Sequence, residues 1–293
     1  MNFAAKIVKN LNYWFLILIF FVSLWAIMDY TLNVHGRLMD ISEPQVMGIL
    51  NVTPDSFFAD SRQQTEEEIA MRCRQITNEG ATIIDVGACS TRPDSTPVSE
   101  GEEMERLRLA LGIVRREQPQ GVISVDTFRP DVARMAVEEF GADIINDVSE
   151  GNAEMFRMVS RLRVPYILMS QQPTLQTMLI SFAEKVQQLY DLGVKDVILD
   201  PGFGFGKTLA QNYQLMQELE KLQVMGLPIL VGVSRKSMVY KLLGITADEA
   251  LNGTTALHTI ALLKGASILR VHDVREAVEC MKIVKSLNGQ IVR

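Results

Sequence analysis

Short apolar runs, each stopping at a polar residue and followed by turn chemistry and then a helical stretch, recur along this chain. The first covers residues 46–51 and ends at Asn51, ahead of Val-Thr-Pro-Asp-Ser. Pro54 denies Thr53 the helical region, and Asp55 and Ser56 can bond their own backbone, so a buried strand gives way to a polar loop. Later runs cover 82–87, 122–127, 143–148, 166–170, 197–200, 229–233 and 267–271. They are too short for helices and nearly continuous in hydrophobicity, as parallel strands covered on both faces should be.

Helical segments fill the intervals. One is predicted over 65–79, opened by a Thr65/Glu68 capping box and stopped by Gly80. Ser99/Glu102 opens the next, and Pro130 suits the first turn of a third, which Gly141 ends. Further helices stop near Gly193 and run over 246–264 and 274–287. Residues 30–41 alternate around His35-Gly36 and predict a small hairpin at the bottom of the domain. Eight strands, each followed by a helical segment within about 250 residues, predict an α/β fold, the (β/α)8 barrel. The rival, an open doubly wound sheet, has fewer strands and a glycine-rich dinucleotide turn after the first. Here Asn51-Val52-Thr53 stands in that place.

Residues 1–28 stand apart from the barrel unit, 29–293. Residues 13–28 are uncharged and follow Lys6 and Lys9, which reads as an extra apolar helix, an uncleaved membrane anchor with those lysines in the cytoplasm. The other reading is a mis-assigned start, with Met28 opening the mature chain. Of the barrel unit, the three scattered cysteines (Cys73, Cys89, Cys280) have no disulfide or metal spacing and fit a reducing, cytoplasmic setting. The net charge of −6 argues against a nucleic-acid surface while leaving room for local anion sites.

A barrel keeps its active site at the carboxyl ends of its strands. The residues there are Asn51, Asp85, Asp126, Asn146, Asp147, Ser170, Asp200, 234–237, Arg270 and His272. Two or three carboxylates, an amide and a lysine suit a polar planar heterocycle. Asn51, Arg270 and His272 flank strands eight and one, where an anion could sit. Taken singly, Asp85 and Asp147 read first as helix caps or loop braces. GFGFGKT, residues 202–208, misses a phosphate-cradling motif by one position, because Pro201 stands where glycine is needed. Its glycines instead let backbone approach a flat ligand, with Phe203 or Phe205 as an apolar wall.

The pieces MGILNVTPDSFF, STRP, SVDTFRPDVA, IINDVS, DPGFGFGKT, GVSRKS, LNGTTA and ILRVHDV, in that order over 47–274, resemble the dihydropteroate synthase family. These are pterin-binding barrel enzymes of folate biosynthesis and the targets of sulfonamides. The resemblance implies a transferase in which 4-aminobenzoate displaces diphosphate from 7,8-dihydropterin-6-ylmethyl diphosphate. It implies that Asp126, Asn146, Asp200, Lys236 and Phe203 bind the pterin. Asn51, Thr91, Arg270 and His272 would meet the diphosphate, and Thr91, Arg92, Pro93 and Ser237 the aminobenzoate. The resemblance further implies that Lys236, Arg270 and His272 would carry the catalytic roles, that Asn51 would be the Mg2+ ligand, and that the protein would be a homodimer through barrel helices.

The chain departs from the family pattern at Ser170, where histidine is common, at Ala88-Cys89 and at residues 59–61. Two other readings stand beside this one: a methyltetrahydrofolate methyltransferase, and a non-catalytic pterin-binding protein. Arg270-x-His272 and residues 234–237 weigh against the first, which handles no diphosphate. Asn51, Thr91, Arg92 and Lys236 weigh against the second.

Overall fold

The computed structural model describes residues 30–52, 62–89 and 98–287. The expected hairpin is present as β1 (Thr31–Val34) and β2 (Arg37–Asp40), antiparallel with Thr31 opposite Asp40. Its turn residues His35 and Gly36 have φ of 48° and 78°, the handedness that matches strand twist in a tight hairpin. The proposed anchor, 13–28, lies outside the described residues. Among those described, no helix is long and apolar enough to cross a membrane.

Eight parallel strands follow: β3 (Gln45–Asn51), β4 (Ile83–Gly87), β5 (Val122–Asp126), β6 (Ile144–Asp147), β7 (Tyr166–Met169), β8 (Val197–Asp200), β9 (Leu230–Val231) and β10 (Ile268–Val271). Their spatial order is β8-β7-β6-β5-β4-β3-β10-β9. Leu199 on β8 pairs in parallel with Ile229, beside β9, and its N–H donates to the Pro228 carbonyl at 2.9 Å. That bridge closes the ring of eight parallel strands. The expected barrel is the observed one.

The helices are α1 (Arg62–Asn78), α2 (Glu100–Glu117), α3 (Pro130–Phe140), α4 (Ala153–Leu162), α5 (Leu175–Asp191), α6 (Leu209–Gln217), α7 (Ser237–Leu243), α8 (Leu251–Leu263) and α9 (Val274–Leu287). Ser99 caps α2 by accepting from the Glu102 N–H at 3.3 Å, Pro130 occupies the first turn of α3, and Gly141 ends it at φ 64°. Two expectations need correction. Helix α1 already runs at Arg62, so Thr65 is a buried residue within it and not its cap. The helix expected over 246–264 begins only at Leu251, because Gly244 turns left-handed to end α7 and residues 246–250 form the connection.

Strand alternation sorts the side chains into layers. Leu50, Ile84, Val125, Leu168 and Leu269 point outward into the helix-covered core. Met47, Ile83, Ile144, Ile167, Ile198 and Ile268 point inward and form a separate apolar cluster, plugged from below by Leu32 and Val34 of the hairpin. Two residues further along, the inward positions of β4, β5, β6, β8 and β10 become Asp85, Ser124, Asn146, Asp200 and Arg270, while β3 and β7 place Ile49 and Met169 there. A largely polar layer thus lies on an apolar floor.

Candidate active site at the carboxyl rim

Asp85 is fully buried at the centre of that layer. Its Oδ2 accepts from Arg270 Nε at 2.6 Å and from Asn146 Nδ2 at 3.1 Å. Arg270 also donates from Nη2 to Asp126 Oδ2 at 2.7 Å. One guanidinium therefore holds carboxylates from two neighbouring strands in the fork geometry that suits arginine. Burial opposes its charge, but Asp85 and Asp126 outweigh this and hold Arg270 protonated above its usual range. Burial pushes the Asp126 carboxyl up to about 7, against the pull of Arg270 and with the push of Asp85. Asp85 Oδ1, Asn146 Oδ1 and Ser124 Oγ are buried without a hydrogen-bond partner among the described residues, which leaves them to meet ordered water or a ligand.

The far side of the rim is built by the loop after β8. Asp200 Oδ1 accepts from the Gly202 N–H at 2.7 Å, and burial raises the carboxyl's pKa despite Lys236 nearby. Lys236 donates to the Phe203 carbonyl at 2.6 Å, and its ammonium lies 4.5 Å from the centre of the Phe205 ring. Burial lowers the lysine to about 8, Asp200 working against the shift and Arg270 with it. The two sides meet across Gly232, where an added Cβ would lie 3.8 Å from Arg270 Cβ and 3.9 Å from Lys236 Nζ, ordinary contact distances. A Cβ on Gly87 would stand 3.3 Å from Asn51 Oδ1 and 3.4 Å from Asp126 Cβ.

Asn51, Asp126, Asn146, Asp200, Lys236 and Arg270 therefore share one rim. His272 leaves β10 beside them, its N–H on Ser234 Oγ at 3.1 Å and its carbonyl held by Arg72 at 2.6 Å. Burial and Arg270 lower its pKa to about 4, so the ring is neutral near pH 7. Ser237 is half-buried at the start of α7, directly after Lys236. Phe203 needs correction as an apolar wall: its ring is fully buried in the packed core, and it is the carbonyl that meets Lys236. The half-buried ring of Phe205 is the one at the ammonium. Thr91, Arg92 and Pro93 lie outside the described residues.

Among the described residues, no three His, Cys, Asp or Glu side chains converge to hold a metal. Asn51 offers one exposed carboxamide oxygen at the rim, which fits an ion that keeps water and phosphate oxygens as its other ligands. Asp85 is the residue that strand-end reading undervalued: alternation points it inward, but its partner Arg270 is remote in sequence.

Comparison with known proteins agrees with this geometry. Residues 47–272 match the family described as pterin binding enzyme. The dihydropteroate synthase of Escherichia coli (strain K12) is 39% identical over 269 residues, 86% of this chain and 94% of that protein. The structure of Xanthomonas albilineans dihydropteroate synthase with 4-aminobenzoic acid superposes with a TM-score of 0.83 at 34% identity, covering 89% of this chain and 98% of that one. A Yersinia pestis dihydropteroate synthase in complex with a sulfonamide drug gives a TM-score of 0.79 at 36% identity, covering 89% and 100%. An inward polar ring on a closed barrel, and likeness over nearly the full length of these enzymes, lead to one conclusion: the chain belongs to the pterin-binding enzyme family, among its dihydropteroate synthases.

Proposed function

We propose that the amine of 4-aminobenzoate displaces diphosphate from 7,8-dihydropterin-6-ylmethyl diphosphate at this rim, giving 7,8-dihydropteroate. The single observation that carries the reading is the inward ring of Asp126, Asn146, Asp200, Lys236 and Arg270, joined through Asp85 and the glycine loop. The aminopyrimidinone edge of a pterin is rich in N–H donors. Asn146 Oδ1 is a buried acceptor with no protein partner among the described residues, and the Asp126 and Asp200 carboxylates flank it. Lys236 donates from the opposite side, while Phe205 supplies the flat apolar surface.

In the reaction, the methylene carbon–oxygen bond to diphosphate breaks, a carbon–nitrogen bond to the aniline forms, and that nitrogen releases a proton. The electron-rich dihydropterin carries the positive charge that grows on the methylene carbon, so no enzyme nucleophile is needed. The protein stabilises the departing anion and holds the amine in line. Two of the five N–H donors of Arg270 are engaged by Asp85 and Asp126, leaving the others for diphosphate. Neutral His272 donates a hydrogen bond there. Asn51 would hold Mg2+ with waters and substrate oxygens, and the ion, when bound, neutralises diphosphate charge.

By resemblance to the family, Thr91, Arg92, Pro93 and Ser237 are assigned to aminobenzoate, and Thr91 to diphosphate as well. Residues 29–293 form the catalytic unit, and 1–28 are an appended segment that meets a membrane only if 13–28 anchors it. A homodimer through the barrel helices is supported by the exposed Leu242, Leu243, Ile260, Leu263, Ile283 and Leu287 of α7, α8 and α9. Purified protein given both substrates and Mg2+ is expected to release dihydropteroate, detected by mass. Absence of product from folded protein would overturn the assignment.

A further inference from the structure

Lys207 stands where a phosphate-cradling motif has its lysine, yet its ammonium is turned into the protein. It donates to the carbonyls of Ser170 at 2.9 Å, Gly202 at 3.0 Å and Phe205 at 3.2 Å, the full donor capacity of an ammonium. It makes no ion pair among the described residues. The acceptors come from two places: Ser170 follows β7, while Gly202 and Phe205 belong to the loop after β8.

That loop has little shape of its own. Gly202, Gly204 and Gly206 have φ of 65°, 84° and 60°, and a chain so rich in glycine loses much freedom on being fixed. At Gly202 a Cβ would stand 2.2 Å from the Ser170 carbonyl, so the two segments touch at backbone distance. Carbonyl dipoles brought together in this way need a positive centre, which Lys207 supplies. The same loop offers Lys236 its two contacts, the Phe203 carbonyl and the Phe205 ring.

We propose that Lys207 is a positioning residue that folds the 201–206 loop around its ammonium and so sets Lys236 and Phe205 for the ligand. The role of Lys236 rests on the pterin reading above; the effect on the loop does not. Burial lowers Lys207 to about 8 while Asp200 and Glu150 favour its charge, so the cation persists near pH 7.

Lys207→Met keeps most of the stem and removes the ammonium. Backbone amide exchange at pH 7, read without substrates, is expected to quicken at least about tenfold at Gly202 and Gly204 and to stay unchanged in β5. In turnover, kcat/KM for the pterin substrate is expected to fall at least about tenfold, mostly through KM. Lys207→Cys treated with 2-bromoethylamine, which rebuilds the ammonium through a thioether, is expected to recover both values. Wild-type protein treated in parallel controls for Cys73, Cys89 and Cys280. Unchanged exchange in Lys207→Met, intact kcat/KM despite faster exchange, or aminoethylation without recovery would each overturn the proposal. Lys207→Gln, read the same way, replaces the Met variant if that chain does not fold. An inactive wild type refutes the pterin reading and leaves the exchange result to decide the loop.

Discussion

Arg270 Nε lies 2.6 Å from Asp85 Oδ2, joining residues 185 positions apart. The contact sits between the apolar floor of the barrel and its open rim. A buried carboxylate is tolerable there because the guanidinium and the Asn146 amide share its charge.

Arg270→Met strands that carboxylate and is expected to cost about 3–5 kcal/mol in denaturant unfolding. The Arg270→Met/Asp85→Asn double variant, which leaves no charge on Asp85, should lose less than the single variant. Equal losses would mean that the pair is not coupled.

The pH dependence of pterin binding follows from two shifted groups. Asp126 must be ionised to accept from an N–H edge and is raised to about 7; Lys236 must be protonated to donate and is lowered to about 8. Affinity is therefore expected to climb as pH rises through about 7 and to decline above about 8, with the acid limb absent in Asp126→Asn. For stability the sign is opposite: the native state holds the Asp126 proton more tightly than the unfolded chain. That contribution is complete below 3.8, the ordinary value, and is lost as pH rises through about 7. Calorimetric titrations from pH 5 to 9 check the binding profile.

Leu32→Ala removes a buried side chain from the hairpin that plugs the barrel floor. A loss of about 2–5 kcal/mol in unfolding is expected. KM for both substrates should stay near wild type, because the site is at the opposite end. A selective change in KM with intact stability would contradict this division of the barrel.

Sulfonamides are expected to raise the apparent KM for 4-aminobenzoate without lowering the maximal rate, as measured by initial-rate kinetics. Inhibition that excess aminobenzoate fails to relieve would count against the shared site.

Much of this was legible in sequence because strand geometry is local. Apolar runs ending at Asn51, Asp126, Asn146 and Asp200 show both the strand and the rim. What escaped depends on contacts between distant segments. Asp85 resembles a cap until Arg270 arrives from the last strand. Lys207 resembles part of a failed nucleotide motif until Ser170 brings a carbonyl to it. Phe203 and Phe205 are equivalent by spacing. Glycines at positive φ decide which ring turns into the core and which lies by Lys236. Thr65 carries a capping pattern that upstream helical residues override.

The claim that these residues act as one pterin site is tested most directly by calorimetric titration of a 7,8-dihydropterin onto wild type and onto Asp126→Asn, Asn146→Ala, Asp200→Asn and Lys236→Ala. One site per chain, weakened at least about tenfold by each substitution in folded protein, is the predicted result. Wild-type affinity in all four variants would contradict it.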